Sequence, residues 1–151
     1  MFVTRAVLAP EASRVAPSSC GIHARVTQPA KRAPTTVDKP WGHEFIWAVT
    51  DRYVGKILHV RTGEALSLQY HRVKDETIMV LSGRLRFEFF ADGEAPNVRE
   101  LGPREPFHVA PGLRHRMIAI EDTDVLEVST TELDDVVRLE DRYGRAPADA
   151  P

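Results

Sequence analysis

Residues 63–83, GEALSLQYHRVKDETIMVLSG, contain the pattern that decides the expected fold. Short apolar runs lie between two glycines that can form tight turns, as in successive β-strands. Gln69 and His71 are two residues apart, so on one strand their side chains point to the same face. The charged turn at residues 72–75 allows the chain to reverse and brings Glu76 back beside His71. The stretch therefore predicts a hairpin that gathers three polar side chains.

The rest of the chain from Trp41 onward continues as short strand-like runs separated by turn residues. No ten-residue stretch of this region keeps a helical apolar period, which argues against parallel βαβ units. Closely spaced short strands favour antiparallel pairing, and the expected fold is all-β, a single jelly-roll β-barrel. The last stretch, ELDDVVRLEDRYGR at residues 132–145, has its apolar residues at mixed offsets, which predicts a short helix or turn over the barrel.

The domain boundaries follow from a change in composition near residue 39. Residues 1–38 contain four prolines, scattered small residues and no sustained apolar period, so a disordered leader is expected there. The domain is expected over residues 39–145, with a disordered tail at residues 146–151. The leader is basic and poor in acids, as in some transit peptides, but it lacks an amphipathic helix; a dispensable tail is the preferred interpretation.

Composition limits the possible functions. The chain has 151 residues, 42% hydrophobic and 28% charged, which suits one soluble globular domain. A formal net charge of -2 gives no cationic field for nucleic acid or an anionic membrane. The apolar runs are too short for a bilayer span. Cys20 is the only cysteine, which excludes an intramolecular disulfide and favours a reducing compartment, so a cytoplasmic location is expected.

A fourth candidate ligand comes from REPFHVAPGLRH at residues 104–115, where a Pro-Gly turn directly precedes His115. Two imidazoles, one carboxylate and one amide oxygen suit a borderline divalent ion such as Zn, Ni, Co, Mn or Fe. A lone histidine on a strand more often has a structural role, and His43, His59 and His108 are interpreted in that way. The candidate metal ligands are Gln69, His71, Glu76 and His115.

These motifs resemble those of the cupin superfamily: Gly63 and Gly83 flank the first three ligands at the spacing of the first cupin motif, and residues 104–115 correspond to the second. Gln69 stands where most cupins have a histidine. The chain is more closely similar to the type II mannose-6-phosphate isomerase domain, the C-terminal module of bifunctional mannose-1-phosphate guanylyltransferase/mannose-6-phosphate isomerases, in which glutamine occupies that position. This resemblance covers residues 39–145 and rests on KPWGHE, YVGKILHVRTGEALSLQYHR, PGLRHRM and DDVVRLEDRYGR. The sequence contains no Gly-rich nucleotide loop, so synthesis of GDP-mannose is not expected.

The resemblance implies a metal-dependent aldose–ketose isomerase that converts mannose-6-phosphate to fructose-6-phosphate through a cis-enediolate. It implies one divalent ion, with Zn²⁺ as the first expectation and Mn²⁺, Co²⁺, Ni²⁺ or Fe²⁺ as alternatives. Lys74 would steady the oxyanion or assist proton transfer, and Arg142 would bind phosphate or close the site. Arg138 and Arg145 are expected to bind the substrate behind Arg142.

The proton-transfer base is not placed by any motif, so a metal-bound hydroxide, His43 or Glu44 would have to serve. Lys56 is assigned a structural role. The alternative functions are a non-catalytic metal- or sugar-binding cupin module, an iron oxygenase, for which Gln69 is an unusual ligand, and a structural or signalling domain without metal. The expected partners are a small-molecule sugar phosphate and a second copy of the chain, since sheet edges near RLRFEFF and EFIWAV could form a homodimer.

Overall fold

The computed structural model describes residues 33–91 and 95–146, and the regular elements in these ranges are all β-strands. None of the described residues forms a helix long and apolar enough to cross a membrane. The strands are β1 (Thr35–Lys39), β2 (Gly42–Val49), β3 (Val54–Val60), β4 (Leu68–Tyr70), β5 (Glu76–Ser82), β6 (Leu85–Phe90), β7 (Asn97–Leu101), β8 (Pro106–Val109), β9 (Arg114–Ala119), β10 (Thr123–Ser129) and β11 (Val137–Glu140).

The strands form two antiparallel sheets in a jelly-roll arrangement. The first sheet has six strands in the order β1-β2-β3-β10-β5-β8, and the second has five in the order β11-β4-β9-β6-β7. Side chains alternate between the two faces of each strand, and in the central strands β5, β9 and β10 every second residue is buried between the sheets. The largest fully buried apolar side chains of this core are Leu58, Ile78, Leu85, Phe87, Leu101 and Met117. The all-β prediction is confirmed.

The C-terminal stretch differs in part from the expectation. Turns are present in it, but the described residues contain no helix there; residues 137–140 form strand β11 instead. This strand pairs antiparallel with β4, with Arg138 opposite Gln69. The free backbone groups on the open edge of β4 provide hydrogen-bond partners that the local apolar spacing of the sequence does not reveal.

The predicted domain start at residue 39 is also too late. Strand β1 begins at Thr35, and all five of its residues pair with β2. The edge of β2 provides backbone hydrogen-bond partners for β1, although the composition of this segment is typical of a loop. Residues 1–32 of the predicted leader and residues 147–151 of the predicted tail lie outside the described residues.

The two runs expected at sheet edges lie inside the sheets. RLRFEFF falls largely in β6, between β9 and β7, and EFIWAV lies in β2, between β1 and β3. The edge strands are β1 and β8 in one sheet and β11 and β7 in the other. The prediction that two copies pair through those runs is therefore wrong. The homodimer itself stays a prediction.

Candidate metal centre and its cavity

Three buried side chains from both sheets meet between them. His71 follows β4, His115 lies in β9, and Glu76 begins β5 in the opposite sheet. One ligand atom from each of the three lies within 4.8 Å of the others. Glu76 Oε1 is 3.4 Å from His71 Nε2 and 3.5 Å from His115 Nε2. The hairpin expected from the sequence thus brings Glu76 beside His71, and the second motif adds His115.

Both imidazoles point their Nε2 atoms at this meeting point. Nδ1 of His115 donates to the carbonyl of Leu113 at 2.9 Å, and Nδ1 of His71 donates to the carbonyl of Asp135. The two Nε2 atoms are buried and have no hydrogen-bond partner. Burial lowers the pKa of His115, which favours the neutral imidazole. Burial alone would lower the pKa of His71, but the neighbouring Glu76 carboxylate raises it above its usual value. Two buried imidazole nitrogens without hydrogen-bond partners, beside a carboxylate, fit a divalent metal ion, because each buried nitrogen is otherwise unsatisfied.

Gln69 completes the expected set. It lies in β4 directly opposite His115 in β9, and both it and His71 face the cavity between the sheets. Its Oε1 accepts a hydrogen bond from Ser67 Oγ at 2.7 Å. A carbonyl oxygen has two lone pairs, so this bond leaves one available to a ligand. The structure therefore brings His71, Glu76 and His115 together and places Gln69 on the wall of the adjoining cavity.

The cavity that adjoins these ligands has a volume of about 110 Å³ and a strongly charged wall. Acidic and basic side chains alternate along one side of it, beginning with Lys74 Nζ against Glu76 Oε2. Lys74 also contacts Glu127 at 2.8 Å, and Lys56 contacts Glu127 at 3.7 Å. The exposed fraction of the side chains rises along this charged row from 2% at Glu76 to 29% at its outer end. In order, the charged row consists of Glu76, Lys74, Glu127, Lys56, Glu44 and Lys39.

Both members of the innermost pair are held in their charged forms. Burial alone would lower the pKa of Lys74, but the negative charges of Glu127 and Glu76 raise it above its usual value. Burial alone would raise the pKa of Glu76, but the adjacent His71 ring and the positive charge of Lys74 hold it at about 2. Lys74 therefore lies in the site as expected, with its ammonium group shared between two carboxylates.

The three predicted arginines occupy different positions. Arg138 and Arg145 line the cavity, whereas Arg142 is exposed and donates to the carbonyl of Gly63 at 3.0 Å. Arg138 Nε is buried without a partner, while Arg145 is held by Asp141 through Nη2 at 2.5 Å and Nε at 3.0 Å. The structure does not bring Arg142 into the cavity wall, because the turn at residues 141–144 directs it onto the neighbouring loop.

Two charged residues of the cavity wall, Glu127 and Lys56, are not predicted as functional from the sequence. Glu127 lies in β10 between the buried residues Val125 and Ser129, and Lys56 lies in β3 between Val54 and Leu58. Lys56 was assigned a structural role, but it lines the cavity. A charged residue at an inward position of an alternating strand was the available signal, because such a side chain requires a partner or a function.

The two sequence-predicted candidates for the proton-transfer base, Glu44 and His43, occupy different positions. Glu44 faces the cavity and contacts Lys56 at 3.8 Å. His43 instead stacks on His59 with ring centroids 4.9 Å apart, and neither ring lines the cavity.

Comparison with known proteins places these features in a family. The family model described as "Mannose-6-phosphate isomerase C-terminal" matches residues 27–141. The mannose-1-phosphate guanylyltransferase ManC of Salmonella typhimurium is 36% identical over 114 residues, which is 72% of this chain and 23% of ManC. The mannose-1-phosphate guanylyltransferase of Escherichia coli K12 is 34% identical over 119 residues, 76% of this chain and 24% of that enzyme. The chain thus spans about a quarter of the length of these relatives.

The solved structures support the fold. A cupin superfamily protein from Desulfitobacterium hafniense superposes with a TM-score of 0.50 and 17% identity, covering 58% of this chain and 74% of that protein. KdgF from a Halomonas species superposes with a TM-score of 0.57 and 23% identity, covering 67% of this chain and 91% of that one. At these identities the likeness shows the cupin fold alone.

Proposed function

The chain belongs to the mannose-6-phosphate isomerase C-terminal family, and from this premise we propose that it is a metal-dependent sugar-phosphate isomerase. The proposed reaction is the interconversion of mannose-6-phosphate and fructose-6-phosphate. The observation that carries this proposal is the pair of buried, unpartnered imidazole nitrogens beside Glu76, at the inner end of a cavity that also contains an unpartnered arginine.

Aldose–ketose interconversion requires a polarised carbonyl and a proton that moves between neighbouring carbons. A divalent ion, Zn²⁺ as the first expectation, would be held by Gln69, His71, Glu76 and His115, and when bound it supplies Lewis-acid polarisation of the carbonyl. The remaining requirements fall to the side chains of the cavity wall.

We assign the proton transfer to Glu127. Lys74 contacts two carboxylates, and the carboxylate of Glu127 is the one that is not a candidate metal ligand. Glu127 is also buried in the cavity wall. The Lys74 ammonium, already charged between Glu76 and Glu127, is placed to stabilise negative charge that develops on a substrate oxygen. Glu127 therefore replaces His43 as a candidate base, and Glu44 is the more distant alternative because it contacts Lys56 and Lys39 further out.

We assign the phosphate group to Arg138, with Arg145 in support. The three lysines of the cavity wall are already paired with carboxylates, whereas Arg138 Nε has no partner. A guanidinium can offer two parallel N–H donors to a phosphate, which suits this role. Arg142 is proposed only to fasten the C-terminal turn, through its bond to the Gly63 carbonyl.

The second candidate function is a metal- or sugar-binding module without catalysis. The observation in its favour is that the carboxylates and ammonium groups of the cavity wall are already paired with one another. Both functions require the metal site, so metal binding alone does not separate them.

The test combines metal titration with turnover. Zn²⁺, Mn²⁺, Co²⁺ and Ni²⁺ are titrated calorimetrically into metal-free protein, and mannose-6-phosphate conversion is then coupled to detection of fructose-6-phosphate. Glu127→Gln should lower kcat by at least about 100-fold, and Arg138→Met should mainly raise KM. Arg84→Met, an exposed arginine paired with Glu121, is the matched control. Metal binding without turnover of hexose or pentose phosphates would favour the binding module, and absence of metal binding would contradict both.

A further inference from the structure

Asp135 lies between β10 and β11, outside the set of residues assigned to the metal or the substrate. Its carboxylate accepts hydrogen bonds from three consecutive backbone N–H groups: Arg72 at 3.0 Å, Val73 at 2.7 Å and Lys74 at 2.8 Å. A single carboxylate thus holds three consecutive residues of the turn that joins β4 to β5, and Thr130 Oγ1 accepts the N–H of the next residue, Asp75, at 3.1 Å.

The backbone of the same residue contacts the metal site directly. The carbonyl of Asp135 accepts the Nδ1 hydrogen of His71, and this bond leaves the Nε2 lone pair of His71 directed at Glu76 and His115. The turn that Asp135 holds begins at a metal ligand, His71, and ends at the cavity ammonium, Lys74. One residue therefore fixes both ends of the segment.

We propose that Asp135 is a positioning residue that sets the orientation of the His71 ligand and of the Lys74 ammonium. Arg138 is three residues further along the chain, in β11 opposite Gln69, so the segment that carries the phosphate-binding arginine also orients the metal ligand. This inference rests on the proposed metal site, and it adds a residue to which neither the metal nor the substrate is assigned.

The exposed part of the turn has little other support. Arg72 and Val73 are exposed, Val73 to 64%, so packing contributes little to their conformation. Three N–H groups converging on one oxygen pair form an anion-binding concavity, and hydrogen bonds to an ionised acceptor are stronger than neutral ones. The backbone N–H groups also hold the pKa of Asp135 at about 2, which keeps the acceptor ionised. Partners that orient a ligating histidine typically change metal affinity 10–100-fold when they are removed.

The test uses Asp135→Asn and Asp135→Ala, with the adjacent exposed Asp134→Asn as the matched control for loss of one negative charge. Co²⁺ is titrated into the metal-free full chain by calorimetry, and the visible absorption spectrum of the bound ion is recorded, both well below the melting temperature of each variant. We expect both Asp135 variants to bind Co²⁺ at least about 10-fold more weakly, with an altered spectrum, while Asp134→Asn matches the wild type.

A second readout needs no metal. The ¹⁵N NMR shifts of the His71 imidazole report which ring nitrogen carries the hydrogen, and in the wild type this should be Nδ1. In Asp135→Asn we expect the other tautomer to become populated. If Asp135→Asn lowers only the melting temperature and keeps the wild-type Co²⁺ affinity, spectrum and His71 tautomer, the residue is merely structural and the inference is overturned.

The two proposals can fail separately. If the wild type binds Co²⁺ but does not turn over mannose-6-phosphate, the isomerase function fails, and the Asp135 variants still decide the positioning role through affinity and spectrum. If turnover is present and the Asp135 variants bind Co²⁺ as the wild type does, the positioning role fails alone. If the wild type binds no ion at all, both fail.

Discussion

Lys74 lies between two buried carboxylates, Glu76 and Glu127. Its positive charge therefore stabilises the folded protein. Removing the ammonium leaves two like charges facing each other out of contact with water, and breaking a buried ion pair in this way typically costs about 3 kcal/mol or more. We therefore expect Lys74→Met to lower the free energy of unfolding of the metal-free protein by about that amount at neutral pH. Urea unfolding of the wild type and of Lys74→Met measures this difference in the free energy of unfolding.

The control for this experiment is Lys39→Met at the outer end of the charged row. Its contact with Glu44, at 3.5 Å, is partly exposed, so the expected loss is below about 1 kcal/mol. The loss in Lys74→Met should shrink as the pH falls, because protonation of Glu76 removes its repulsion from Glu127. Equal losses of unfolding free energy in Lys74→Met and Lys39→Met would contradict a stabilising role for the buried ion pairs of Lys74.

Asp135 should leave a separate signature in the acid stability of the protein. Its pKa is about 2 in the folded chain, below the ordinary value of 3.8, because three backbone N–H groups favour the ionised form. For a carboxyl whose pKa is depressed on folding, the stabilisation is complete above the unfolded pKa and is lost as the pH falls through the folded one. The contribution of Asp135 is therefore present above about pH 4 and disappears towards pH 2.

The measurement compares urea unfolding of the wild type and Asp135→Asn between pH 6 and pH 2. The difference in free energy of unfolding between them should be constant down to about pH 4 and narrow below it. Asp134→Asn removes the same charge without the three N–H contacts. Narrowing of equal size in both variants would show that net charge, and not these contacts, causes the effect.

At the scale of elements, the turn between β5 and β6 depends on close backbone approach at Gly83. Gly83 has a φ of +80°, and a Cβ there would lie 2.2 Å from the Asp122 carbonyl oxygen. Gly63 has nearly the same φ, +78°, with nothing within 4 Å of the added Cβ. Both substitutions to alanine meet the strain of the left-handed region, about 1–2 kcal/mol, but only Gly83→Ala must also displace the backbone.

We expect Gly83→Ala to cost at least about 1 kcal/mol more than Gly63→Ala in chemical unfolding. Gly63→Ala thus serves as the matched control, since it isolates the cost of the backbone conformation from that of the collision. Equal destabilisation would mean that the turn relaxes freely around the new methyl group.

At the scale of the whole molecule, the candidate ligands belong to both sheets, so a bound ion would join them. Gln69 and His115 lie in the five-stranded sheet, and Glu76 lies in the six-stranded one. A ligand that binds only the folded state stabilises it by about 4 kcal/mol at a free concentration 1,000 times its dissociation constant. We therefore expect Zn²⁺ to raise the melting temperature of the wild type and not that of His115→Ala.

The control for this measurement is His108→Ala, which removes an exposed imidazole that is paired with Asp75 and is not a candidate ligand. It should retain the full Zn²⁺-dependent rise, as measured by thermal unfolding with and without chelator. A rise of similar size in His115→Ala would mean that the ion stabilises the protein at another place.

Exposed apolar side chains on the six-stranded sheet bear on the predicted homodimer. The six-stranded sheet exposes Val128 to 41% and Trp47 to 39%. On the other sheet, Arg116 forms ion pairs with Glu88 and Glu140. An apolar outer face is the kind of surface that a second copy can cover. We expect a dimer in light scattering at micromolar concentration and a monomer for Val128→Arg.

Val98→Arg, in β7 of the other sheet and 48% exposed, is the matched control and should stay dimeric. A wild-type monomer under these conditions would exclude the homodimer. Loss of the dimer in both variants would place the interface elsewhere.

The sequence by itself determined the all-β fold and the grouping of Gln69, His71 and Glu76 on one hairpin. The reason is that both depend on short-range relations: alternation with a period of two, glycines at turns, and a hairpin that returns Glu76 to His71 five residues later. These relations hold wherever the hairpin lies in the molecule, so no knowledge of distant contacts was needed.

Only the tertiary structure decided which charged residues surround those ligands. Glu127 faces Lys56 because β10 pairs with β3, about 70 residues earlier in the chain, and Arg138 enters the cavity because β11 pairs with β4. Arg142, in a similar local sequence context, turns away onto Gly63. Register between strands far apart in the chain sets which polar side chains face inward, and that register follows from the packing of the whole core.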